Sequence, residues 1–126
     1  MITNGFIADL RVNDDYDLVL GIPNIPTGVT LQSVWLSVKT DSSVADLNAT
    51  IFVKITPLAG VAGQITDTGA DTVAEAVFTL SRGVTALLSS YTWYQYEIVA
   101  GLSNNKQRGL ERGRLWPLPA IGQSLS

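Results

Sequence analysis

The sequence predicts an all-β protein, an antiparallel sandwich of about seven or eight strands with one short helical turn. Three observations predict it. Apolar and polar residues alternate along most of the chain, as they do where one strand face meets a core and the other meets water. Clusters rich in Gly, Pro, Asn, Asp and Ser separate these runs at short intervals. A helical pattern is offered only over residues 81–88.

The elements follow in order. Short strands are expected at 6–12 and 16–20, divided by the turn Val12-Asn13-Asp14-Asp15. The loop Pro23-Asn24-Ile25-Pro26-Thr27-Gly28 leads to a strand at 31–39. There Val34, Leu36 and Val38 share one face, with Ser33, Ser37 and Lys39 opposite, and Trp35 interrupts the polar side as a rim anchor or a second-layer contact. Residues 48–55 alternate in the same way, Ala49, Ile51, Val53 and Ile55 against Thr50, Phe52 and Lys54. Further strands are expected at 64–67 and 72–80. At 81–88, Ser81 stands where a cap belongs, but Val84 replaces the Glu or Gln of a capping box and Gly83 weakens the helix. The stretch therefore reads as a single turn crossing from one sheet to the other.

In the strand at 91–99, Tyr94 and Tyr96 share a face toward the core and Trp93 points away. A polar tip, Ser103-Asn104-Asn105-Lys106, leads to a last strand at 110–116, making Glu97 and Arg112 cross-strand partners. One domain covers residues 1–117. Pro117 and Pro119 interrupt regular pairing, which leaves 118–126 as an extended C-terminal tail. Its Leu118, Ile121 and Leu125 either fray, the default for a terminus, or lie in a groove on a neighbour.

A chain of 126 residues forms one domain with a sizeable core. Its charged fraction is 15%, against about 25% in an average globular domain, so some of its outside is either polar without charge or covered by partners. Cysteine and histidine are absent, which removes disulfides, thiolate metal sites and the commonest general base. The start of the chain lacks the basic flank and apolar stretch of a signal peptide, and no apolar run nears the roughly 18–20 residues that span a bilayer. A soluble protein with no membrane partner is expected. Net charge is −3, with Asp9, Asp14, Asp15 and Asp17 near the start and Lys106, Arg108, Arg112 and Arg114 near the end. Four cations on one hairpin of an acidic protein, without interleaved aromatics, argue against nucleic acid as a partner.

The chemistry-bearing residues read as structural. Asp14-Asp15-Tyr16-Asp17 lacks the alternating ligands, central Gly and terminal Glu of a Ca²⁺ loop. Glu75 and Glu97 alternate with apolar neighbours, as outward strand positions do, rather than forming a glycosidase pair. The serines have no histidine to activate them, and Gly60-Val61-Ala62-Gly63 lacks the ending of a phosphate loop. Asn48-Ala49-Thr50 matches a glycosylation acceptor, but without a secretion signal the match carries nothing. No enzyme activity, cofactor, metal or small-molecule substrate is expected. Trp35, Trp93 and Trp116 serve as core or interface anchors, with a sugar-stacking platform as the alternative if their strands are adjacent.

The order of motifs adds a resemblance. Val34-Trp35-Leu36-Ser37-Val38-Lys39-Thr40-Asp41, Ile51-Phe52-Val53-Lys54, Gly63-Gln64-Ile65-Thr66 and Ala76-Val77-Phe78-Thr79-Leu80 run in sequence. Tyr94-Gln95-Tyr96-Glu97-Ile98 and Arg112-Gly113-Arg114-Leu115-Trp116-Pro117 complete the series. Together they resemble the small immunoglobulin-like domains of tail and baseplate proteins in tailed bacteriophages. The turn Val12-Asn13-Asp14-Asp15 departs from the Arg-Gly-Asp-Thr-like opening of that family. The resemblance implies an immunoglobulin-like sandwich and a non-enzymatic virion subunit, assembled in the host bacterial cytoplasm. Such a subunit would be an oligomeric adaptor or accessory part of the tail, baseplate or fibre-attachment region, bound to other virion proteins and to its own copies. A capsid decoration protein or head fibre is the structural alternative, and a carbohydrate-binding module the alternative of another class. Interface residues are then expected among Trp35, Trp93, Arg108, Arg112, Arg114, Trp116, Leu118 and Ile121.

Overall fold

Period-two alternation places the apolar residues of each strand on one side, and two such sides close on each other. The computed structural model describes residues 2–3, 5–41, 43, 45 and 48–120. The strands are β1 (Ile2–Thr3), β2 (Phe6–Ile7), β3 (Tyr16–Ile22), β4 (Leu31–Lys39), β5 (Ile51–Ile55), β6 (Gly63–Asp67), β7 (Ala74–Leu80), β8 (Tyr94–Leu102) and β9 (Gln107–Leu115). One helical turn, α1 (Arg82–Thr85), lies between β7 and β8. The larger sheet has the order β1-β2-β9-β8-β4-β5 and the smaller β3-β7-β6. With β9-β8-β4-β5 facing β3-β7-β6, the arrangement is G-F-C-C′ over B-E-D, the immunoglobulin layout. β2 pairs in parallel with β9, while the other named strand pairs are antiparallel.

The core is built from the expected faces. Val34, Leu36 and Val38 of β4, Ile51 and Ile55 of β5, and Tyr94, Tyr96, Ile98 and Ala100 of β8 are buried from one sheet. Leu18 and Ile22 of β3, Ile65 of β6, and Ala76, Phe78 and Leu80 of β7 meet them from the other. Each large apolar side chain so buried contributes roughly 1.5–3 kcal/mol before conformational entropy is counted. Ser37 departs from expectation: it lies on the outer face, yet is buried between its cross-strand neighbours Phe52 and Glu97.

The turn from β7 to β8 crosses between sheets as expected, but Ser81 makes no side-chain cap. The cap comes from the acidic turn instead. Asp15 Oδ1 accepts the Arg82 N–H at 2.9 Å, and the buried Thr85 hydroxyl donates to the Asp14 carbonyl at 2.8 Å. Further along, the Tyr94 hydroxyl accepts the Ser89 N–H at 2.9 Å. This is a tyrosine corner at the start of the F-equivalent strand, β8. Two residues on, where antibody domains carry their second disulfide cysteine, stands the buried ring of Tyr96.

The first and last segments differ from the sequence reading. A continuous strand over 6–12 is replaced by β2 and an isolated parallel bridge between Arg11 and Leu118. Asp9 and Asn13, both at positive φ, turn the chain out of extended geometry on either side of that bridge. Leu118 is held rather than frayed: its N–H donates to Leu10 and its carbonyl accepts from Val12, while Arg11 Nη1 donates to the Pro119 carbonyl at 3.0 Å. Ile121 and Leu125 lie outside the described residues.

Candidate interaction surface

The outer face of the larger sheet is organised by the register of β8 with β9 and β4. Positions 93, 95 and 97 point outward together, since alternate residues of a strand share a side. Gln95 lies opposite Arg114 on β9 and Lys39 on β4; Glu97 lies opposite Arg112 and Ser37. Arg112 Nη2 donates to Glu97 Oε2 at 3.0 Å, the cross-strand pair expected from the sequence. The Arg112 side chain is 80% exposed, so this pair contributes little to stability. Ser37, Lys39, Gln95, Glu97 and Arg112 border a shallow depression of about 240 Å³.

Aromatic rings gather where β8 begins and β9 ends. The Trp93 and Trp116 centroids lie 4.8 Å apart at 49°, Tyr91 lies 6.2 Å from Trp116, and Phe6 meets Trp93 edge-on at 6.2 Å. The Arg114 guanidinium stacks over the Trp93 ring, 4.8 Å from its centroid. Backbone geometry builds this corner. Tyr91 adopts a left-handed φ of 56° and donates its N–H to the Pro117 carbonyl at 2.8 Å, bringing the chain before β8 against the chain after β9. Phe6 arrives through the parallel pairing of β2 with β9, opposite Arg114. That approach requires glycine at 113, because a Cβ there would run into the Gly5 backbone. Trp93 remains 50% exposed and Tyr91 59% exposed.

The sequence candidates divide accordingly. Trp93, Arg114 and Trp116 come together. Trp35 does not join them; it lies opposite Lys54 and Val99, toward the other end of β8. Arg108 is turned inward to the molecule's own loop, donating to the carbonyls of Pro23 and Asn24 at 3.0 and 3.2 Å. Leu118 belongs to the bridge with Arg11, and Ile121 lies outside the described residues. Neither protein-family models nor curated proteins match this chain. Tyr91 and Phe6 escaped the sequence reading, since only long-range pairing brings them to the tryptophans.

The titratable groups are few. Burial, then the nearby Glu111 carboxylate, push the Tyr96 hydroxyl up to about 12. That hydroxyl is buried and has Glu111 diagonal to it across β8 and β9, yet makes no hydrogen bond of full geometry among the described residues. Burial and then Asp9 also raise Tyr16, whose hydroxyl donates to the Ala8 carbonyl at 2.7 Å. Among the described residues, no three His, Cys, Asp or Glu side chains converge as a metal site, and no helix is long and apolar enough to cross a membrane.

Proposed function

We propose that this protein is a non-enzymatic structural subunit of a tailed-bacteriophage particle. It acts as an oligomeric adaptor or accessory part of the tail, baseplate or fibre-attachment region. Its work is adhesion between proteins. The observation that supports this most directly is the corner of Phe6, Tyr91, Trp93 and Trp116 with Arg114 stacked on it. Trp, Tyr and Arg are the residue types that dominate binding energy at protein interfaces, and here the rings pack against one another while two stay half exposed. A rigid aromatic anchor loses little side-chain entropy when a partner covers it. The ordered series of motifs across the chain supplies the phage assignment, and the low charged fraction, 15%, agrees with surface that partners cover.

The test is a mass-spectrometric inventory of purified particles of the phage encoding this chain. The protein is expected at a fixed ratio to the tail proteins, and Trp93→Ala with Trp116→Ala should abolish incorporation while circular dichroism stays unchanged. Its absence from particles would overturn the assignment.

The adjacency of Trp93 and Trp116 also supports a second reading, stacking on sugar rings. The 49° between the rings and the guanidinium lying on Trp93 leave a less open platform than sugar stacking favours, so this reading ranks second. Saturable quenching of tryptophan fluorescence by a glycan panel would promote it.

A further inference from the structure

We propose that a second copy of this chain pairs along β3, joining two three-stranded sheets into one continuous six-stranded sheet about a two-fold axis at Val19. This rests on the reading of the protein as an assembly subunit, and it names a surface separate from the aromatic corner. Among the described residues, β3 is hydrogen-bonded to β7 on one side alone. Over residues 17–22 its other side is a row of N–H and C=O groups that an extended backbone can match.

Other sheet margins carry the features that discourage such pairing. β6, the opposite edge of the smaller sheet, is irregular between Ile65 and Asp67. β5 is short and presents the exposed Lys54. β9 is bulged opposite Ile98 and Val99, and β2 covers its far end. β3 is neither short, irregular nor bulged, and like β5 it carries one exposed charge. Its seven residues keep unbroken register with β7, contain no proline and include one charge, Asp17.

The sequence of β3 suits antiparallel pairing with itself. Centred on Val19, the register uses all seven residues. Val19 meets its own copy, Leu18 meets Leu20, and Tyr16 meets Ile22. Asp17 meets Gly21, so the strand's one charge avoids its twin, and the glycine leaves room for it. Every other centre within the strand leaves residues unpaired. On the outer face Val19 is 62% exposed and lies opposite Val77 on β7, so the seam would line up four valines across two molecules. On the inner side the half-buried Leu20, which borders a slot of about 230 Å³ with Leu110, would be covered. A two-fold contact of this kind is self-complementary and closes at two copies.

The full chain, which has no cysteine of its own, allows a direct test. Sedimentation is followed from about 10 to about 500 µM, the range suited to a small interface. Val19→Cys is compared with Glu75→Cys, an exposed site on β7 away from the seam, under mild oxidation or with a short thiol crosslinker. The expected result is a concentration-dependent dimer, severalfold more crosslinking at position 19 than at 75, and a folded monomer for Val19→Lys, which sets two cations face to face. A wild-type monomer throughout, with equal crosslinking at both sites, overturns the proposal. A dimer that survives Val19→Lys but is lost in Trp93→Ala also overturns it, while leaving the assembly reading in place.

Discussion

Tyr96 is a buried ring whose hydroxyl makes no well-formed hydrogen bond among the described residues, and its pKa is pushed up to about 12 from the ordinary 10.0. The unfolded chain therefore loses this proton first as pH rises. The stability carried by the neutral phenol is fully present below about pH 10 and disappears as pH climbs toward about 12. Tyr16 moves in the same direction. A buried polar group without a good partner costs more than the apolar group that could replace it. Tyr96→Phe should leave the urea midpoint at pH 7 unchanged or raised, by up to about 1 kcal/mol, and should flatten the alkaline loss. A loss above about 1 kcal/mol at pH 7 would show that something holds the hydroxyl after all.

At the level of elements, α1 is too short to stand by its own propensity, and it is secured from a distant turn. Asp15→Ala removes the acceptor for the Arg82 N–H and should cost about 0.5–2 kcal/mol in urea denaturation. Thr85→Val orphans the Asp14 contact at a fully buried position and should cost about 1–3 kcal/mol. The two losses should sum to more than the double variant shows, because both groups hold one turn. The helical turn and its crossing of the sandwich were legible in the sequence, since a short weak pattern sits between two strong strand patterns. Its cap was not, because Asp15 and Arg82 lie 67 residues apart. The same division runs through the fold. Alternation gave the buried faces of β4, β5, β7 and β8, and the hairpin offset gave Glu97 opposite Arg112. The parallel docking of β2 and the joining of Trp93 to Trp116 depend on neighbours no local pattern encodes.

Across the whole molecule, the segment around Leu10–Val12 and the segment around Leu118 fasten one side of the sandwich together. Two backbone hydrogen bonds and the Arg11 contact to Pro119 carry that fastening. Shortening the chain to residues 1–117 should therefore cost about 1–3 kcal/mol by loss of these bonds. An unchanged thermal midpoint would mean that the bridge contributes nothing beyond Pro117.

The tyrosine standing where related architectures place a sulfur–sulfur bond has a practical outcome. A covalent tie across so long a loop would contribute about 4 kcal/mol by restricting the unfolded chain, and this molecule does without it. With no cysteine in the sequence, its folding involves no disulfide formation. Reductants such as dithiothreitol should leave its melting curve untouched.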